Sequence, residues 1–482
     1  MTNLAASLHL AAPEIVLASG AMLLLMLGVF RGDRSVFALT WVSVALYAGA
    51  GFLLIGQPSR ATAFSGLYIA DSFSAFLKVT ILAAASVAAL LALPYLKRAR
   101  TARFEYPVIL MLATLGTLIM VSANDLITLY IGLELAALAQ YVLAAFHRNE
   151  SRSSEAGLKY FMLGSLSSGI LLYGVSLVYG FVGSTSFAAL HTALAHGPTG
   201  LAIGPLLGLV LVLVGLAFKV AAVPFHMWTP DVYEGAPTPV AAFFASAPKV
   251  AAMGLLVRAS MVAFGGAADS WRQIITFMSV ASMFLGAVGA VGQSNIKRLL
   301  AYSSINNVGF ALIGLACGTQ GGVASVLFYM AVYIAMTLGA FMVVLDLRDL
   351  DGRPIERIAD LAGLRKSRPW LAAAMAIFMF SLAGIPPLLG FWPKFGVFDA
   401  AVSAGLYPLA LLGVIASVVG AYYYLRIVKT IYFDDPAAPV APRLSAVNGA
   451  LMAGAALFCS PIGMLTITPL VNAARNAAAS LF

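Results

Sequence analysis

The sequence predicts an all-α integral membrane protein with about 14 transmembrane helices. Of its 482 residues, 61% are hydrophobic and only 10% are charged, and the mean hydropathy is +0.96. Soluble domains are about half apolar and about a quarter charged, so this composition excludes a soluble globular protein. Apolar runs of about 20 residues, each long enough to cross a hydrocarbon core of roughly 30 Å, recur along the whole chain.

We interpret fourteen of these runs as membrane spans, numbered 1 to 14 in chain order. They cover residues 13–30, 36–55, 73–96, 106–123, 125–146, 156–183, 203–223, 239–263, 271–292, 299–317, 322–346, 370–392, 407–432 and 446–468. No Lys or Arg precedes the first run, and Pro13 and Glu14 open it. We therefore expect no cleavable signal peptide and a first span that is retained.

The basic residues outside the spans are divided unequally between two sets of loops. Loops after odd-numbered spans hold seventeen Lys or Arg residues, whereas loops after even-numbered spans and the C-terminal tail hold only Arg60, Arg272 and Arg475. The positive-inside rule then places the odd loops in the cytoplasm and both termini on the opposite side. The net charge of +9 is thus an orientation signal, and we expect no nucleic-acid partner.

Prolines interrupt spans 7 and 12 and predict discontinuous helices there. Pro224 lacks an amide donor and blocks the carbonyl of Val220, and the Gly-Ile-Pro-Pro sequence at 384–387 frees the carbonyls of Leu382 and Ala383. Freed backbone at membrane depth is tolerated only where it is buried in protein or lines a water-filled cavity. The breaks therefore mark a candidate pathway through the bundle.

The spacing of the two broken spans predicts an internal repeat. They are five spans apart, so spans 4–8 and spans 9–13 would cross the membrane in opposite directions, as in transporters built from inverted repeats. We therefore expect four segments. They are residues 1–104 with spans 1–3, residues 105–265 as the first five-helix repeat, residues 266–433 as the inverted second repeat, and residues 434–482 with span 14 and the tail.

Four ionisable residues lie deep inside spans and are candidates for a proton relay: Glu134, Lys219, Lys249 and Lys394. A charge at the bilayer centre costs roughly 2.5–3.5 kcal/mol, so these side chains must face protein, water or a transported ion. Desolvation disfavours a charged lysine and a nearby carboxylate favours it, so a Glu134–Lys219 pair would be bistable. The alternatives are structural pairing within the bundle and, for Lys394, a lipid-facing lysine that snorkels to the interface.

Four further basic residues in or near the spans are weaker candidates for the proton relay. Lys159 lies about four residues inside span 6, where snorkelling competes with a role in tuning the relay. His226 directly follows the break in span 7 and could relay protons near neutral pH. Lys78 and Arg258 lie near the ends of spans 3 and 8, and we interpret both as interfacial anchors.

The sequence lacks the motifs of redox or nucleotide chemistry. Cys317 and Cys459 are too few to ligate an iron–sulfur cluster or a structural zinc, and the five histidines show no metal-ligand spacing. No glycine-rich nucleotide motif follows a strand-like segment. We therefore expect no cofactor or metal in this chain, and any redox chemistry would belong to a partner.

Three motifs in spans 5, 7 and 10 are specific enough to suggest a family. They read NDLITLYIGLE up to Glu134, FKVAAVPFHMWTPDVYEGAPTP from Phe218 to Pro239, and KRLLAYSSI from Lys297. These motifs resemble those of the antiporter-like membrane subunits of respiratory complex I, the NADH:quinone oxidoreductase. The resemblance covers nearly the whole chain and is strongest in spans 4–13.

The resemblance implies two proton half-pathways, one in each repeat, joined by hydrated charged residues. It assigns relay positions to Glu134, Lys219, Lys249 and Lys394 and a modulating position to Lys159. It further implies a bacterial inner-membrane complex with periplasmic termini, neighbouring antiporter-like subunits, and NADH, FMN, iron–sulfur clusters and quinone on partner subunits.

Two points stay open in that comparison. Subunits of Mrp-type multisubunit cation/proton antiporters also carry a lysine in span 12, so they are the alternative family. In span 10 this chain has Asn306 and Asn307 where relatives often have a histidine. A protonatable role for span 10 is therefore in doubt.

Overall fold

The computed structural model describes residues 4–195, 203–436, 440–441 and 445–482, which form a bundle of helices with one small hairpin. The helices are α1 (Leu4–Leu10), α2 (Ala12–Arg31), α3 (Val36–Phe52), α4 (Ser72–Arg98), α5 (Glu105–Val121), α6 (Leu126–Ala144), α7 (Ser151–Val182), α8 (Phe187–Ala195), α9 (Ile203–Val220), α10 (Trp228–Gly235), α11 (Thr238–Phe244), α12 (Ala247–Arg258), α13 (Ala268–Val291), α14 (Ile296–Ala316), α15 (Gln320–Asp346), α16 (Leu364–Ser367), α17 (Pro369–Ala383), α18 (Phe391–Ser403), α19 (Tyr407–Phe433), α20 (Ala446–Cys459) and α21 (Ile467–Ala479). Strands β1 (Arg60–Ala63) and β2 (Tyr68–Asp71) pair antiparallel, with Arg60 opposite Asp71. Two residues of the sequence-based counts, His196 and Arg443, lie outside the described ranges.

The helices confirm a multi-spanning, all-α membrane architecture. Within the described ranges, ten segments are long and apolar enough to cross a membrane, with α2 and α3 counted as one segment of 41 residues. The bent pair of α20 and the segment Pro461–Ala479 brings the number to 11, and α5 and α17 are apolar but shorter. Each predicted span coincides with one helix or with a broken pair of helices, while the total of fourteen crossings stays a prediction.

Both predicted helix breaks are present. α9 ends at Val220 and α10 begins at Trp228, and the second break separates α17 from α18. Each break contains a cis proline peptide bond, Val223–Pro224 in the first and Pro386–Pro387 in the second. Spans 7 and 12 are therefore discontinuous helices.

A third break, which the sequence did not lead us to expect, lies in span 14. The axis bends by 68° between α20 and the segment that begins at Pro461. Pro461 cannot donate to the helical ladder, and Ser460 caps the next turn by accepting a hydrogen bond from the backbone amide of Ile462 at 3.2 Å. The predicted span over 446–468 is therefore a bent pair of helical segments.

Three segments form the interior of the bundle and position the candidate site. About nine tenths of the apolar stretch is buried in α14, in α15 and in the α11–α12 segment, compared with 28% in α2 and α3. A helix that is apolar on all sides is stable where other helices surround it. Polar side chains on these three segments therefore lie deep inside protein and do not face lipid.

Two buried ion pairs join helices at the side predicted to be periplasmic. The Lys78 ammonium lies 2.7 Å from a Glu14 carboxylate oxygen, and the Arg258 guanidinium donates two hydrogen bonds of 2.7 and 2.8 Å to Asp71. The side chains of Lys78 and Arg258 are each only 1% exposed. The interpretation of both as interfacial anchors is wrong, because each has a carboxylate partner inside the bundle.

The Arg258–Asp71 pair generates a stability prediction. Asp71→Ala leaves the guanidinium buried without a partner, and such a change costs about 3–5 kcal/mol. We expect less assembled protein in the membrane and a lower melting temperature after solubilisation. Asp33→Ala is the matched control, because it removes a surface pair with Arg103 in which the side chains are 39% and 55% exposed. Equal stability of the two variants would contradict the account.

Candidate proton-relay site

Lys249 lies in the first turn of α12 and contacts the break that follows α9. Its ammonium donates a hydrogen bond of 2.7 Å to the carbonyl of Val220, the acceptor that Pro224 was predicted to free. Its Nζ also lies 5.8 Å from the centre of the Trp228 ring, and the residue is 2% exposed. Within the described ranges, no carboxylate lies within 4.0 Å of this ammonium.

Lys394 satisfies the second break in the same way. Its ammonium donates hydrogen bonds of 2.9 and 3.0 Å to the carbonyls of Leu382 and Ala383, the two acceptors predicted from the sequence. The Nζ atom lies 4.7 Å from the centre of the Phe310 ring of α14, and the residue is 6% exposed. A snorkelling, lipid-facing lysine does not fit this burial.

The chemistry at the two breaks is therefore equivalent. In each, the ammonium of a buried lysine lies against the C-terminal end of the preceding half-helix, where the helix dipole and unpaired carbonyls favour a cation. A neutral amine retains two N–H donors, so the lysine can release its proton and still serve as a donor to the backbone. Lys249, and not Lys219, contacts the first break, which the sequence did not reveal.

Lys219 and Glu134 do not form the predicted ion pair in this structure. Lys219 is partly buried, and its ammonium makes a long hydrogen bond of 3.5 Å to the Tyr141 hydroxyl. One carboxylate oxygen of Glu134 is buried without a hydrogen-bond partner among the described residues. The two groups are separate here, so the bistable pair stays a prediction.

A small cavity beside Lys219 extends the polar region towards Lys249. It has a volume of about 20 Å³, and Gln140, Tyr160 and Pro248 contribute to its wall. A space of this size holds roughly one water molecule. The Tyr160 hydroxyl donates a hydrogen bond of 2.9 Å to Gln140, and its ring stacks on Trp228 with 4.4 Å between the ring centres.

Lys159 belongs to a surface ion network and not to the buried site. Its side chain is 43% exposed and pairs with Glu155 at 2.8 Å and with Asp231 at 2.9 Å. Asp231 lies in α10, just beyond the first break, and also pairs with Arg298 of α14 at 2.6 Å. The network ties α7 to the broken helix, which is a geometry suited to modulation.

His226 lies in the loop between α9 and α10. It is partly buried, and its Nδ1 atom has no hydrogen-bond partner among the described residues. Its predicted place at the break is confirmed, while its role as a modulator stays a prediction.

Sequence reasoning missed a buried polar cluster on α14, α15 and α19. Asn307 donates to the Ser303 carbonyl at 2.8 Å and to the Tyr424 hydroxyl at 3.2 Å, and it accepts from the Tyr329 hydroxyl at 2.7 Å. The signal was available as tyrosines near the middle of apolar spans. Each is unremarkable alone, and only the packing of three helices brings them together.

No metal centre is evident in the part of the chain that the structure describes. Over residues 4–195, 203–436, 440–441 and 445–482, no group of three or more His, Cys, Asp or Glu side chains could hold a metal ion.

Comparisons with known proteins identify the family. Residues 123–420 match the family model described as the transmembrane region of NADH:quinone oxidoreductase and Mrp antiporters. The chain is 59% identical to NADH-quinone oxidoreductase subunit N of Rhizorhabdus wittichii, over 100% of both chains. It is 55% identical to subunit N of Methylobacterium nodulans, over 98% of this chain and 97% of the relative. This chain belongs to the NADH-quinone oxidoreductase subunit N family.

Solved structures show the same fold. A chain of respiratory complex I from Thermus thermophilus is 31% identical and superimposes with a TM-score of 0.80, over 95% of this chain and 98% of that chain. A chain of the Mrp complex from Dietzia sp. is 23% identical, with a TM-score of 0.85 over 98% of both chains. The Mrp likeness is one of fold alone, and the full-length subunit N relatives favour the complex I family.

Asp231 pairs with both Lys159 and Arg298, so substitutions of Asp231 and of Lys159 should differ in their effects. Lys159→Ala leaves the Asp231–Arg298 pair intact and removes two exposed pairs, with Glu155 and with Asp231, each worth up to about 1 kcal/mol. Asp231→Ala removes both pairs and loosens α10 beside the first break. We expect near-normal NADH:quinone reductase activity in membranes with Lys159→Ala and a clear loss with Asp231→Ala. Equal loss in both variants would instead make Lys159 part of the relay.

Proposed function

We propose that this chain is a proton-translocating membrane subunit of a respiratory NADH:quinone oxidoreductase in the bacterial inner membrane. One observation carries the proposal: in a chain of the subunit N family, Lys249 and Lys394 each lie buried against carbonyls freed by a helix break. Intramembrane ionisable groups of this kind mark ion pathways.

The redox chemistry takes place on partner subunits in this proposal. NADH, FMN, iron–sulfur clusters and quinone bind there, and this chain packs against other membrane subunits, including neighbouring antiporter-like ones. The proposal is supported by the subunit N relatives and by the shortage of cysteine ligands in the sequence. Quinone reduction elsewhere in the complex is coupled to proton movement through this chain.

Within the chain, protons move along Glu134, Lys219, Lys249 and Lys394. Residues 105–265 supply the first half-pathway and residues 266–433 the inverted second one, each with its own helix break. Glu134 favours a charged Lys219 when the two approach, and their separation favours release of the proton. With the basic loops in the cytoplasm and the termini in the periplasm, the two half-pathways open to opposite sides.

Substitutions of Lys394 test this function, because a relay lysine must release its proton. Lys394→Arg keeps a cation near the freed carbonyls but scarcely deprotonates, and Lys394→Ala removes the donor altogether. We expect both variants to pump slowly, with a loss of roughly 10²-fold or more, as for other proton-transferring groups. The measurement is NADH-driven acidification of inverted membrane vesicles per assembled complex.

Lys429→Arg is the control, because Lys429 is 64% exposed and pairs with Asp434 at the surface. We expect it to pump normally. Normal pumping by both Lys394 variants would remove Lys394 from the pathway.

A further inference from the structure

The centre of the bundle has no charged side chain on the helix that crosses it. From Leu299 to Ala316, α14 carries only neutral residues, yet this helix lies between the two breaks. We infer that a relay of hydroxyl groups centred on Tyr424 joins the Lys249 half-pathway to the Lys394 half-pathway. The inference rests on the proposed function and adds the residues that carry the central transfer.

The central hydroxyl network consists of Ser303, Ser304, Asn307, Tyr329, Tyr333 and Tyr424. The Tyr424 and Ser303 hydroxyls share a hydrogen bond, and the Tyr333 hydroxyl donates to Ser304 at 2.9 Å. The three tyrosines are each at most 2% exposed. All six residues are buried, so the network is closed to lipid and bulk water.

Asn307 holds the Tyr424 and Ser303 hydroxyls together through its amide group. The Ser303 carbonyl can only accept, so the amide nitrogen of Asn307 must face it and the amide oxygen must face Tyr329. The same nitrogen donates to the Tyr424 oxygen at 3.2 Å and to the Ser303 hydroxyl at 3.4 Å, so either hydroxyl can donate in the bond that the two share. Asn307 neither gains nor loses a proton near neutral pH, so it is a positioning residue.

The network reaches towards Lys249 through α10. The Lys249 ammonium lies against the Trp228 ring, whose centre is 6.3 Å from that of Tyr233. The Tyr233 hydroxyl is fully buried and lies close to the hydroxyl of Ser304, which belongs to the network. Tyr233 therefore lies between the Trp228 ring and the network.

The other end of the network reaches Lys394. Phe310 follows Asn307 by one turn of α14, and its ring contacts the Lys394 ammonium at 4.7 Å. The path from one lysine to the other is therefore lined by aromatic rings and hydroxyls in place of charged groups.

The proton transfer is balanced at every oxygen. A lysine ammonium gives its proton to a water molecule, which gives a proton to the Tyr424 oxygen while Tyr424 passes its own proton to Ser303. Ser303 gives its proton to a second water molecule, which delivers a proton to the neutral amine of the second lysine. The first lysine ends as a neutral amine, the second as an ammonium, and each hydroxyl again holds one proton.

A purely structural role would not require hydroxyls at these positions. Phenylalanine and alanine would fill the same space without the cost of burying polar groups, which a neutral hydrogen bond offsets only in part. Tyr424→Phe removes one oxygen and keeps the ring. We expect it to assemble normally and to pump roughly 10²-fold more slowly per complex.

The experiment uses the intact complex in inverted vesicles, with flavin content as the count of complexes. Tyr422→Phe is the matched control on the same helix, because Tyr422 is 58% exposed and lies outside the network. Asn307→Leu should show the same low rate per complex as Tyr424→Phe. A merely structural role would instead lower the flavin content and leave the rate per complex unchanged.

Normal pumping by Tyr424→Phe overturns the hydroxyl relay. If Tyr424→Phe does not assemble, Ser303→Ala removes the same hydrogen bond from α14 and decides by the same criterion. Lys394→Ala in the same vesicles distinguishes a failure of the hydroxyl relay from a failure of the proposed function. If Lys394→Ala is impaired and Tyr424→Phe is not, only the relay fails, whereas normal pumping by both variants defeats the proposed function as well.

Discussion

The hydrogen bonds from buried lysines to carbonyls at broken helix ends pair polar groups that would otherwise be unsatisfied inside the membrane. An unsatisfied carbonyl at membrane depth costs several kcal/mol, and so does an unpaired buried ammonium. When the ammonium donates a hydrogen bond to the carbonyl, the free-energy cost of burying both groups falls. Lys249 on Val220 and Lys394 on Leu382 and Ala383 therefore make two interrupted helices compatible with a membrane interior.

That arrangement also explains how a group needed for structure can serve in proton transfer. The amine keeps its backbone contact in both protonation states, because a neutral lysine still has N–H donors. The broken helix supplies partial negative charge that favours the ammonium, while burial among apolar side chains favours the neutral form. A small rearrangement near the break can therefore change which form is preferred.

The breaks and their freed carbonyls could be predicted from the sequence because proline acts locally. Pro224 identified Val220, and the prolines near residue 386 identified Leu382 and Ala383. The lysine partner of the first break could not be predicted, because Lys249 lies 29 residues from Val220. The same limit made the interpretation of Arg258 wrong, since its carboxylate partner Asp71 is 187 residues away.

The central hydroxyl network marks another limit of sequence reasoning. Tyr329 and Tyr333 have the spacing of one helix face, but that spacing is equally typical of aromatic core packing. Only the contact of α14 with α15 and α19 shows that their hydroxyls meet serines and Asn307. Span 10 therefore supplies the neutral hydrogen-bonding groups Ser303, Ser304 and Asn307, and the doubt about a protonatable group there stands.

The most direct test of the central claim is the proton-pumping rate per complex of Lys249→Gln. Glutamine can still donate an N–H group towards the Val220 carbonyl, but it can neither take up nor release a proton near neutral pH. The account predicts a complex with normal flavin content that pumps protons far more slowly than the wild type. A Lys249→Gln complex that assembles and pumps at the wild-type rate would contradict it.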